Sequence, residues 1–146
     1  MSQENVDLVR RLLDMFARRD HEGVFEFYDS DIEWDATAWK STAVAAGAGG
    51  IAGLAGVYRG HEGVRTYWRR WLEAWKDLEF EVEDILDAGD EVVALIRNQR
   101  QVGRHSGIVI EVPPYGLVFT IRGGMVVRWR IYPDHQSALE AVGLRE

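Results

Sequence analysis

The chain has 146 residues, 47% of them hydrophobic, which suits one globular domain with a substantial core. Cysteine is absent, so disulfides, zinc–thiolate clusters and thiol nucleophiles are excluded. A net charge of −7 argues against binding a nucleic-acid backbone, which takes clustered Lys and Arg.

The first residues, Met1-Ser2-Gln3-Glu4-Asn5, carry neither the basic nor the apolar stretch of a signal peptide. No apolar run approaches the ~20 residues that span a bilayer. The expectation is a soluble, cytoplasmic protein with no membrane or nucleic-acid partner.

Residues 3–19 predict an amphipathic helix. Val6, Val9, Leu13 and Phe16 recur at helical spacing, and Ser2 or Asn5 is available as N-cap. A short helix is predicted over 21–28, with Val24, Phe25 and Tyr28 as its apolar set, broken by Asp29-Ser30-Asp31. Ile32, Trp34 and Ala36 then alternate with Glu33 and Asp35, the period-two pattern of a half-buried strand. Segment 43–56 carries five glycines and reads as a loop, because glycine loses most backbone entropy on ordering.

The strongest local signal follows. His61-Glu62-Gly63 opens a helix whose stripe is Val64, Tyr67, Trp68, Trp71, Leu72 and Trp75. From there the chain reads as strands. Leu78, Phe80 and Val82 alternate with Glu79, Glu81 and Glu83, and Ala88-Gly89-Asp90-Glu91 reads as a hairpin turn. Strands are predicted over 92–102 and 107–122, the latter with Pro113-Pro114 marking a bulge, bend or edge. Arg122-Gly123-Gly124 turns into a strand at 125–132, and a helix at 134–142 ends at Gly143. Helices followed by strands on short turns make an α+β fold, with residues 1–146 as one domain.

This order of elements resembles the nuclear transport factor 2-like superfamily, and within it the SnoaL-like branch, which includes polyketide cyclases. The resemblance rests on Met1–Val6 leading the first helix, Tyr28–Trp34 at the first strand and Tyr58–Val64 before the Trp-rich helix. Asp87–Asp90 at a hairpin, Gly124–Val127 before the last strand and Ala138–Leu144 at the end complete it. It implies a cone-shaped, curved antiparallel sheet with the N-terminal helices packed on its concave face and a pocket inside. It also implies a homodimer formed through the outer face of the sheet.

Six Trp and five Tyr in so short a chain either fill a core or line a ligand cavity. Trp34, Tyr58, Trp68, Trp71, Tyr115 and Trp129 are the side chains expected on the inner face, with Trp39 at the mouth. Of Trp68, Trp71 and Trp75, at helical spacing, at least two read better as core than as pocket. Trp129 is the leading pocket candidate, since the matching position lines the cavity in relatives.

Asp35, Arg97 and Tyr115 are the candidates for chemistry. Asp35 lies near the end of the strand where ketosteroid isomerases of this fold hold a general base, and a carboxylate there moves a proton beside a carbonyl. Strict alternation nevertheless points Asp35 away from Trp34, as a solvated strand carboxylate. The isomerases' oxyanion tyrosine matches Leu12 here, and their protonated Asp falls near Tyr115–Leu117, which leaves Tyr115 as a substitute donor. Limonene epoxide hydrolase uses an Asp-Arg-Asp set. Arg97 and Arg100 occupy the right strand, but Ile131 replaces the last-strand Asp.

His21, His61, His105 and His135 are widely spaced and form no metal-binding motif, so neither metal nor cofactor is expected. Gly47-Ala48-Gly49 lacks the βαβ context of a dinucleotide site, and the 43–56 loop reads as a lid or a tolerated insertion. Arg128 and Arg130, with Glu79, Glu81 and Glu83, suggest a charged outer face, either a two-fold interface or plain surface. The partner expected is a small hydrophobic molecule. The functional classes are a cofactor-independent cyclase, isomerase or hydrolase, a non-catalytic binding protein, or a protein-interaction module.

Overall fold

A computed structural model describes residues 2–37 and 56–144. Trp39 and most of the glycine-rich segment, 43–55, lie outside the described residues. Helix α1 (Ser2–Ala17) leads to a 3-10 helix, η1 (Gly23–Phe27), and strand β1 (Tyr28–Asp35). Strand β2 (Val57–Arg59) runs into α2 (Gly60–Ala74), followed by β3 (Trp75–Ala88) and β4 (Glu91–Gly103). The remainder is β5 (Val109–Val112), β6 (Tyr115–Arg122), β7 (Met125–Tyr132) and α3 (His135–Ala141).

The apolar stripe of α1 is buried as its spacing requires: Val6, Val9, Leu13 and Phe16 are all covered, with Leu12 between them. The helix stops short of residue 19 because Arg19 takes φ 64° and the Asp20 amide returns to the Met15 carbonyl at 2.9 Å. That six-to-one closure terminates helices through a left-handed residue. The Asp20 carboxylate then accepts from the Gly23 amide (2.9 Å), tying α1 to η1. Helix α2 ends one residue earlier than its stripe implies, so Trp75 is the first residue of β3, and it stays buried.

The strands form one curved, unclosed sheet in the order β2-β1-β7-β6-β4-β3, with β5 paired to β4. The α+β layout expected from the resemblance is present. It departs from a purely antiparallel sheet at one place, because β1 runs parallel to β7. A parallel neighbour needs a long crossover, and here the crossover is most of the chain.

The segment predicted as a single strand over 107–122 is two strands. Prolines 113 and 114 have no amide to donate, and the ladder breaks there. The long β4 serves both pieces: Glu91–Ile96 pairs with β6 and Gln99–Val102 with β5. Two tight turns carry the hairpins. Gly89 sits at φ 84° between Ala88 and Glu91, and Gly123 and Gly124 both take positive φ between Arg122 and Met125.

One face of the sheet carries the main core against α1 and α2. The other carries a small second cluster, in which Val93, Leu95 and Val118 meet Ala138 and Leu139 of α3. Asp134 caps α3 by accepting from the Ser137 amide (2.7 Å), and the His135 ring bonds the Ile96 carbonyl (2.9 Å). Helix α3 comes so close to β6 that a Cβ on Gly116 would stand 2.4 Å from that of Ala138. Gly116→Ala should therefore destabilise the fold by about 1–3 kcal/mol, with Ala138→Gly in the same chain restoring part of the loss. Urea unfolding midpoints read both. An unchanged midpoint for the single substitution would mean that α3 does not rest on β6.

Candidate functional site

Trp34 and Trp129 are partners in the parallel register of β1 and β7. Their rings stack at a centroid distance of 3.7 Å and an angle of 16°. Trp34 is fully buried behind the stack, against Tyr28, Tyr67 and Trp68. Trp129 forms the wall of a small cavity between α1, α2 and the concave sheet face.

That cavity is lined by Leu13 and Phe16 from α1 and by Tyr67, Trp68 and Trp71 from α2. From the sheet come Leu78, Phe80, Ile96, Gln99, Tyr115, Leu117, Trp129 and Ile131. Its volume is ≈ 50 Å³, room for a few waters, whereas sites for drug-sized molecules run to about 300–1,000 Å³.

Its amide, Gln99, owes its position to a bulge in β4. Asn98 takes φ 53°, and the register with β3 slips there, Glu79 facing Arg100 but Glu81 facing Arg97. One extra residue on β4 reverses the alternation beyond it. Val92, Ala94 and Ile96 face inward before the bulge, and Gln99 and Gln101 after it. Those two glutamines are the buried polar side chains of the described residues.

The Tyr115 hydroxyl donates to Gln99 Oε1 at 2.5 Å, and Gln99 Nε2 donates to Gln101 Oε1 at 3.0 Å. Gln101 Nε2 and the indole N–H groups of Trp68 and Trp129 are buried without a partner among the described residues. Burial raises the pKa of the Tyr115 phenol, and the neighbouring Tyr67 raises it further. Tyr115 is thus a neutral hydrogen-bonding group and not a base.

The structure brings Tyr115, Trp68, Trp71 and Trp129 together on the cavity. Trp34 lies one layer behind, and the half-buried Tyr58 meets Tyr67 edge-on at 5.2 Å. Trp39 is outside the described residues. Asp35 is not gathered in: its carboxylate accepts from the Thr37 amide (3.0 Å) and hydroxyl (2.7 Å) in a local turn. Arg97 points from the opposite face, where Glu81 (3.3 Å) and Glu83 (3.9 Å) hold it.

That outer face continues as an ion-pair ladder, with Glu33 between Arg59 (3.0 Å) and Arg128 (3.1 Å), and Arg130 on Glu91 (2.5 Å). His61 bonds the Tyr28 carbonyl (3.0 Å), and among the described residues no three His, Asp or Glu side chains converge on a metal-sized site.

Sequence reasoning passed over Tyr67, Gln99 and Gln101. The available signal was Asn98, a residue tolerant of left-handed backbone inside the polar run Arg97–Gln101.

A curved, unclosed sheet that wraps its helices is the architecture of nuclear transport factor 2-like proteins. Residues 9–129 match the SnoaL-like domain, and the chain belongs to that family. No curated protein matches it. Among solved structures, it resembles a nuclear transport factor 2-like protein of unknown function from Burkholderia pseudomallei. The two are 20% identical over 98% of this chain and 99% of that one, with a TM-score of 0.73. TerC, co-crystallised with polyporic acid, is 19% identical over 95% and 98%, with a TM-score of 0.73. A protein from Jannaschia sp. CCS1, provisionally assigned as a SnoaL-like polyketide cyclase, is 20% identical over 100% and 96%, with a TM-score of 0.70. These likenesses establish the fold. No helix among the described residues is long and apolar enough to cross a membrane.

Tyr28, like Tyr115, has its pKa raised by burial. A folded-state pKa above the unfolded value means the unfolded chain loses these protons first. Their contribution to stability is then whole below about pH 10 and declines as pH rises beyond it. Alkaline titration followed by phenolate absorbance should release fewer than the five tyrosines while the protein is folded, and the rest on unfolding. All five ionising together in folded protein would contradict the buried placement.

Proposed function

We propose that this protein binds a small, mainly apolar organic molecule between α1, α2 and the concave sheet face. An oxygen of that molecule is engaged by the Tyr115–Gln99 pair. One observation carries the reading. Two buried phenols, Tyr67 and Tyr115, the buried amide of Gln99 and the unpartnered indole N–H groups of Trp68 and Trp129 belong to the lining of an otherwise apolar enclosure. Leaving buried polar groups unpaired costs about 1–3 kcal/mol each, and a ligand oxygen offsets that cost. Apolar walls with a few placed polar groups are the usual make-up of a small-molecule site. A neighbour co-crystallised with polyporic acid and another assigned as a polyketide cyclase support the same class of ligand.

Binding takes precedence over catalysis because, among the described residues, no carboxylate or imidazole lines the cavity. A second reading, cofactor-independent cyclase or isomerase chemistry, is favoured by the phenols alone. A neutral Tyr115 beside Tyr67 is suited to steady an enolate oxygen, as oxyanion donors do in a dry site.

Thermal unfolding with hydrophobic ketones, epoxides and polyketide-like acids, polyporic acid included, tests the reading. A ligand at a hundred times its Kd should stabilise the protein by about 2.7 kcal/mol. Tyr115→Phe should weaken that ligand by about 1 kcal/mol, near fivefold. If no compound shifts the transition, the binding reading falls. Proton–deuterium exchange at the carbon beside a bound ketone, abolished by Tyr115→Phe, would promote the catalytic reading.

We propose as well that two copies pair across the outer sheet face, whose Arg–Glu ladder is available for reciprocal contacts. Sedimentation velocity should then give a dimer that weakens when Arg97 and Arg100 are both changed to Glu. A monomer throughout would refute the pairing.

A further inference from the structure

Trp68 borders two spaces. On its inner side is the ≈ 50 Å³ cavity. On its outer side lies an open groove of ≈ 250 Å³, lined by His21, Glu22, Phe25, Arg65, Arg69 and Leu72. The half-buried indole is wedged among rings, with centroids 5.4 Å from Phe16, 5.4 Å from His21 and 5.1 Å from Tyr67. Its N–H has no hydrogen-bond partner among the described residues, and neither has Nδ1 of the His21 ring beside it. Dispersion and ring contacts hold this wall, and such contacts can be exchanged for those of another apolar body.

The lining of the groove carries two arginines, Arg65 and Arg69, and one carboxylate, Glu22. Glu22 is answered by Arg65 at 3.4 Å, and Arg65 also meets Glu62 (3.5 Å) and lies over the Phe25 ring at 4.3 Å. Arg69 is exposed and has no ion pair or hydrogen bond among the described residues. Of the two spaces, the cavity by itself is too small for a ligand of two rings. With the indole displaced they become one site, on the order of the smallest ordinary pockets, about 300 Å³.

Building on the binding reading above, we infer that the site extends across Trp68. The ligand enters by the outer groove and displaces the indole. Its apolar body rests in the cavity, and an anionic group, a carboxylate in the natural case, meets Arg69. The ligand class is therefore an apolar monoanion of two or three rings.

Two dyes with one body separate the claims: anilinonaphthalenesulfonate, and its uncharged parent anilinonaphthalene. The sulfonate should bind up to about fivefold tighter, the reach of a solvent-exposed ion pair, and salt should erase the difference. Arg69→Gln should bring the sulfonate to the affinity of the parent and leave the parent unchanged. Trp68→Ala, or Trp68→Phe if the alanine variant unfolds, should speed association of both dyes in stopped flow. Equal affinities with no effect of Arg69→Gln would overturn the anionic end, and unchanged association rates would overturn the passage. The binding reading survives either result. Saturable binding of neither dye would overturn the inference together with the reading beneath it.

Discussion

The contact between Trp34 and Trp129 joins the two halves of this chain. The first strand and the last are the parallel neighbours of the sheet, and everything between them is the crossover. Strand β1 carries β2 on its free edge, and β2 leads directly into α2, so the Trp-rich helix is positioned through β1. Closing so long a loop costs chain entropy that local contacts cannot repay. Two indoles stacked at 3.7 Å, each burying about 150–250 Å², supply a large offsetting term at the seam itself. The same pair sets the position of the cavity, because Trp129 is held flat against Trp34 and presents its other side to Phe119 and the interior.

A second constraint, the bulge at Asn98, gives the interior its chemistry. Without the extra residue, strict alternation would direct Asn98 and Arg100 inward and leave Gln99 and Gln101 outside with the ladder. With it, two neutral amides enter the cone, and the arginines stay on the face where Glu79, Glu81 and Glu83 neutralise them. The bulge also falls where β4 changes partner from β6 to β5, so one local distortion bends the sheet, moves the pairing and lines the cavity.

Charge and polarity are consequently partitioned by face. The convex side holds ion pairs in solvent, where each contributes little to stability and much to solubility. The concave side holds phenols, amides and indoles, which stay neutral and recognise oxygen and nitrogen through hydrogen bonds. A carboxylate inside would have needed a partner of its own, and Asp35, one residue from the most buried tryptophan, turns instead to its neighbour Thr37.

Local pattern determined much of this protein. The stripe Val6, Val9, Leu13, Phe16, the alternation Ile32, Trp34, Ala36, and the turns at Gly89 and Gly123-Gly124 could be read directly. Each depends on periods of 3.6 or 2, or on a backbone angle that few residues adopt. The outward aspect of Asp35 was legible in the same way. Tertiary structure alone decided the rest. The parallel seating of β1 beside β7, the pairing of both pieces of 107–122 with β4, and the inward turn of Gln99 and Gln101 all depend on residues far apart in sequence. Tryptophans equal in composition acquired different roles, Trp34 as core and Trp129 as cavity wall, because the strand on either side differs. Side-chain period is a property of a segment, but which face becomes interior is a property of its neighbours, and pairing across the sheet sets that only when the chain folds.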